Sequence, residues 1–88
     1  MRVIIRLSIN NDYGSGLRNC LVPILEGAGL ARGPNTATYE GFLTEDELRD
    51  AMRRFWNTAY GYAGPAHIDH FWMYADKKEA AEEEAQAA

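Results

Sequence analysis

The sequence holds one cysteine, Cys20, in 88 residues. A lone thiol closes no internal disulfide and excludes a structural zinc site built on several thiolates. It fits a reducing compartment, and a cytoplasmic protein is expected. Long apolar runs are also missing. No stretch approaches the roughly 20 residues that a membrane-spanning helix requires, so no membrane partner is expected. Arg6 interrupts the apolar residues of Met1 to Ile9 and no small-residue cleavage pattern follows, so this segment reads as a strand rather than a signal peptide. Strong positive charge is absent as well. The net charge is −4, and residues 1–76 carry seven arginines against nine carboxylates. Such a domain has no general pull on phosphate backbones, and a nucleic-acid partner is not favoured unless a local arginine cluster overrides the mean field.

What is present is a core. The chain is 47% apolar with five Tyr, three Phe and two Trp, enough for one small domain and too much for disorder. Val3, Ile5, Leu7 and Ile9 alternate with Arg2, Ile4, Arg6 and Ser8, the period of a half-buried strand. Asn10 to Gly16 is a loop of turn-tolerant residues. Leu17, Cys20, Leu21, Ile24, Leu25 and Ala28 then share one helical face, ended by Gly27 and Gly29. Pro23 lies inside this stretch and predicts a kink, or a division into two short turns. Gly33-Pro34 makes a bend, and Thr36 to Phe42 has strand composition, with Gly41 marking a bulge or an end. Thr44 and Glu47 form a capping box, and Leu48, Ala51, Met52, Phe55, Ala59 and Tyr62 align behind it on a second helix. Gly61, Gly64 and Pro65 stop that helix, and His67 to Tyr74 is a last, aromatic-rich strand.

This order, with two short strands fitting in the middle segment, predicts an α+β fold. Specifically, it predicts a ferredoxin-like β-α-β(β)-α-β sandwich with two helices on one face of a small, mostly antiparallel sheet. The domain is expected over residues 1–75. Residues 76–88, rich in Glu and Ala, are expected as a frayed helix or disordered tail.

The segments Gly29-Leu30-Ala31-Arg32 and Tyr39-Glu40-Gly41-Phe42-Leu43-Thr44, the acidic helix start running to Leu48, and a short strand at Ile68 to Tyr74 together resemble the small CRISPR-associated adaptation protein. The virulence-associated protein D ribonucleases share that outline. The resemblance implies ferredoxin-like homodimers, often with a C-terminal strand added to the partner's sheet. Some of these cleave RNA or DNA with magnesium or manganese held by an Asp at the end of strand one in each subunit. Others are architectural subunits. Here the sequence departs: Ser8 stands where that Asp belongs, and a neutral hydroxyl is a poor magnesium ligand. Asp12, four residues on, is the candidate replacement as metal ligand.

Each candidate site has a structural alternative. Asp12, beyond a strand's C-terminal end, reads as a metal ligand aided by Asn10 or Asn11, or as a turn residue bonding nearby backbone. Gly14-Ser15-Gly16 lacks the residues of a phosphate loop and reads as a helix start with Ser15 as N-cap. His67 and Asp69 share a side of a regular strand, with His70 on the other, and are candidates for acid–base work or a surface pair. Arg32, Arg49, Arg53 and Arg54 could grip phosphates, while those on the second helix could instead pair with neighbouring carboxylates. Trp56, Tyr60, Phe71 and Trp72 exceed what two helical stripes need, and serve base stacking or, in an acidic protein, a protein interface. The sequence therefore points first to a non-catalytic homodimeric binding or scaffold protein without a cofactor. The alternative is a metal-dependent endonuclease using Asp12 with Mg or Mn.

Overall fold

In the computed structural model, which describes residues 1–33 and 37–76, alternation and helical periodicity resolve into seven short elements. They are β1 (Arg2–Asn10), a single 3-10 turn (Tyr13–Ser15), α1 (Gly16–Ala28), β2 (Ala31–Arg32), β3 (Thr38–Phe42), α2 (Glu45–Gly61) and β4 (His67–Asp76). The sheet order is β2-β3-β1-β4, and β1 pairs antiparallel with both β3 and β4. With two helices and this strand order the fold is α+β and ferredoxin-like. The expected tail lies outside the described residues beyond Asp76, as does Thr36 of the expected middle strand.

One face of the sheet carries the core. Val3, Ile5 and Leu7 of β1 and Tyr39 of β3 are buried together with Leu17, Leu21 and Leu25 of α1 and Leu48 and Phe55 of α2. Burying a side chain such as Phe55 contributes about 1.5–3 kcal/mol, and the completely buried set of Val3, Ile5, Leu17, Leu25 and Phe55 runs through the centre of this layer. Cys20, expected on the buried stripe of α1, is exposed instead. The stripe is the narrower i, i+4 row of Leu17, Leu21 and Leu25, and Cys20 falls one position off it.

Three local expectations are corrected. α1 runs through Pro23 as one helix and is not divided into two short turns. Pro23 and Asn19, whose carbonyl loses its usual donor, are both exposed, so water can take up that carbonyl. Ser15 does not cap α1 through its side chain. It sits in a left-handed conformation (φ 59°) without a capping hydrogen bond, and Asp12 caps the helix from across the 3-10 turn. Gly41 neither bulges nor ends β3. It pairs in regular register with Val3, and a Cβ there would lie 2.5 Å from the Gly29 carbonyl oxygen. Glycine is needed because the α1–β2 connection crosses directly over it.

The start of α2 follows its sequence signal. The Thr44 hydroxyl accepts from the Glu47 N–H at 3.1 Å, and Glu47 Oε1 accepts from the Thr44 N–H at 2.9 Å. Hydrogen bonding to the Thr44 backbone N–H first, and to its side chain second, holds the Glu47 carboxyl below its ordinary pKa.

Candidate functional site

At the C-terminal end of β1 the chain turns through Asn11, at φ 57°, and brings Asp12 beneath the first turn of α1. Asp12 Oδ1 accepts from the Leu17 N–H and Oδ2 from the Arg18 N–H, each at 2.9 Å. Both carboxylate oxygens thus serve the unpaired donors of a helix start, where negative charge is also favoured by the helix dipole. Ser8 lies opposite His70; its Oγ is buried and has no hydrogen-bond partner. A hydroxyl and a capping carboxylate do not make the donor set of a magnesium site. Among the described residues no three His, Cys, Asp or Glu side chains gather as metal ligands.

The histidines are rearranged by a feature that strict alternation misses. β4 is irregular opposite Ser8 and Ile9: Ser8 faces His70 and Ile9 faces Ile68, leaving Asp69 as an extra, bulged residue. His67 and His70 consequently stand opposite Asn10 and Ser8, alternate residues of β1, rather than half a period apart. His67 Nδ1 lies 3.1 Å from the Pro65 carbonyl oxygen. A carbonyl can only accept, so Nδ1 carries the proton and Nε2 is left as the acceptor of the neutral ring. The Asp69 carboxylate is 3.5 Å from His70 Nε2, not on His67.

The arginines of α2 are engaged. Arg49 pairs with Glu45 and Asp46, and Arg53 and Arg54 both pair with Asp50. Each pair spans three or four residues along the exposed helix face, the spacing at which helix side chains meet. Arg32 is separate. It lies exposed on the edge strand β2 and lines a shallow groove with Arg2, Glu40 and Phe42.

The aromatic surplus divides between the two sides of the sheet. Trp56 is partly buried against the core and touches Phe55, Phe71 and Tyr60 at ring-centroid distances of 5.0, 4.8 and 5.7 Å. Trp72 lies on the other side. Alternation along β1 sends Val3, Ile5 and Leu7 to the helices, and so leaves Arg2, Ile4, Arg6 and Ser8 on the uncovered face. The register extends that face into cross-strand rows: Phe42, Arg2 and Asp76; Glu40, Ile4 and Tyr74; Thr38, Arg6 and Trp72. Phe42 is 78% exposed, Trp72 50% and Tyr74 45%. The Trp72 and Tyr74 rings stack at 6.3 Å with 13° between their planes. Arg2 and Glu40 pair across the same face at 3.3 Å.

The structure thus brings Trp72 and Arg6 together on one surface, with Arg32 at its β2 edge in the groove shared with Arg2 and Phe42 and His67 opposite Asn10 at the far end of β1, and keeps Asp12, Arg49, Arg53 and Trp56 apart from it. Phe42, Ile4, Tyr74 and Arg6 are the members that the sequence did not single out as site residues. Ile4 was the available signal, an isoleucine placed on the polar side of an alternating strand. No family model matches this chain, and no curated protein matches it.

Proposed function

We propose that the chain is a non-catalytic, homodimeric binding protein, a scaffold whose uncovered sheet face joins a second copy. The observation that carries this reading is the strip of Phe42, Ile4, Tyr74 and Trp72 on a sheet face that, among the described residues, neither α1 nor α2 covers. Large exposed aromatics grouped on one face are the anchors of protein interfaces. A domain of this size buries a modest share of its surface alone, and association supplies more.

The charge on the face favours a copy of this chain over a nucleic acid. Asp76 shares a row with Arg2, and Glu40 lies in the next row and pairs with Arg2 at 3.3 Å; carboxylates in those positions weaken the pull of the face on a phosphate backbone. A two-fold interface instead needs one patch that complements itself, and apolar residues flanked by both signs of charge meet that need. The free edge of β4 is the weaker surface, because the Asp69 bulge interrupts it, a device that discourages strand addition.

The non-catalytic part rests on the strand-one end. Ser8 occupies the position at which the resembling nucleases carry a carboxylate, and both oxygens of Asp12 are held by helix N–H groups.

Sedimentation velocity over a dilution series tests the reading. A dimer that dissociates in the micromolar range, with a change in tryptophan emission as Trp72 is exposed, is the expected result. A chain that stays monomeric throughout overturns it. A parallel assay on labelled RNA and DNA with magnesium or manganese is expected to show no cleavage. Cleavage that disappears in Asp12→Ala would replace the scaffold reading with the nuclease one.

A further inference from the structure

The last turns of α2 and the first residues of β4 enclose a groove of about 320 Å³ lined by Trp56, Ala59, Tyr60, His67, Asp69 and Phe71. Its wall is a row of rings, with Trp56 between Phe71 at 4.8 Å and Tyr60 at 5.7 Å. Tyr60 is 83% exposed although one side of its ring lies on Trp56, so its other face is open to solvent. Core packing does not require a tyrosine there.

The fixed charge of the groove is negative, and its ionisable bases are the two histidines, His67 in the lining and His70 at 3.5 Å from the Asp69 carboxylate. Asp69 brings a carboxylate to its rim, held out at the bulge where β4 departs from its register. α2 ends here, its last turn carries no basic residue, and although the Ala59 carbonyl accepts from the Tyr62 N–H, the negative end of the helix dipole favours positive charge. His67, with its Nδ1 proton turned to the Pro65 carbonyl, offers an acceptor at Nε2. Among the described residues no Arg lines this groove, whereas the groove between the helices carries Arg54 and the one at the β2 edge carries Arg2 and Arg32. Ring faces, a carboxylate and a helix C-terminus all attract the same kind of ligand.

We propose that this groove is a binding site for a small organic ammonium ion, seated against the Tyr60 and Trp56 rings with its charge beside Asp69. At the bulge Asp69 has no partner residue on β1, and its carboxylate stands at the rim of the groove. Trp56 and Tyr60 supply the ring faces, and Asp69 fixes where along the row the charge rests. The proposal does not depend on dimer formation, since no residue of the uncovered strip lines the groove.

The test is a titration with choline on the Trp72→Phe protein, in which Trp56 is the remaining tryptophan. It is read by Trp56 emission and by two-dimensional NMR, beside 3,3-dimethylbutan-1-ol, the neutral isostere of choline. The expected result is saturable, millimolar binding of choline that moves the Trp56, Tyr60 and Phe71 resonances, with the isostere at least about fivefold weaker. Tyr60→Ala and Asp69→Asn, both at exposed positions, are each expected to weaken choline about fivefold while the remaining resonances stay dispersed. Equal affinity for the neutral isostere, unchanged affinity in both variants, or no response at about 50 mM choline would overturn the proposal.

Discussion

The two faces of the sheet are made by the same three long strands and are used in opposite ways. On the helix side, Val3, Ile5 and Tyr39 disappear beneath α1 and α2. One residue further along each strand, Ile4 and Glu40 face outward, with Tyr74 of β4 beside them. The first face is saturated: its apolar residues touch one another and no partner is needed. The second carries aromatic area that the domain does not use. A sheet with helices on one side divides its residues in this way at a period of two, so the same alternation that folds the chain also displays the face proposed to bind a second copy.

Substitutions on the two faces should therefore separate stability from association. Phe55→Ala removes a fully buried ring and is expected to cost about 3–5 kcal/mol in chemical denaturation, enough to unfold much of so small a domain. Trp72→Ala with Tyr74→Ala should do the reverse. The unfolding midpoint of the monomer should change little, while self-association weakens by about 30-fold or more, the range of interface anchors. If the double variant unfolds like Phe55→Ala, the division between faces is wrong. Gly41→Ala tests the packing beneath the contrast. Its added methyl meets the Gly29 carbonyl oxygen and should cost about 1–3 kcal/mol.

Smaller effects sharpen the account at the helix starts. Asp12→Ala is expected to lower stability by about 1 kcal/mol through loss of a cap and to leave dimerisation unchanged. A loss of magnesium-dependent cleavage in that variant would assign Asp12 another role. Glu47 adds a slight pH dependence. Its carboxyl titrates lower in the folded chain than its ordinary 4.5, so its contribution is present above that pH and is lost as pH falls through the folded value. Glu47→Gln should flatten the acid limb of the stability curve by a small amount, measured by denaturation between pH 3 and about 6.

Most of the fold was legible because it is written in periods. The β1 alternation, the Leu17–Leu21–Leu25 row and the Thr44–Glu47 box each use residues adjacent on one element, and each appears in the structure with bounds close to those expected. What was not legible depends on contacts between distant segments. The role of Gly41 is set by a connection that crosses over it, and the sequence shows a glycine in a strand without showing what approaches it. The bulge at Asp69 follows from pairing with Ser8 and Ile9, and no residue within His67 to His70 announces it. Asp12 is intermediate. Its turn role was one of two readings, and which backbone groups it reaches depends on how tightly the Tyr13–Ser15 turn curls. The candidate face shows the same limit. Trp72 stood out by its type, but Phe42 and Ile4 join it only when the register of three strands is known.

The central claim, that the uncovered face joins a second copy, is tested most directly by two-dimensional NMR spectra recorded across a dilution series. The account predicts concentration-dependent shifts at Ile4, Arg6, Phe42, Trp72 and Tyr74, with the resonances of α1 and the exposed side of α2 unmoved. Shifts that fall on the helices instead, or a spectrum that does not change from the most concentrated sample to the most dilute, would contradict it.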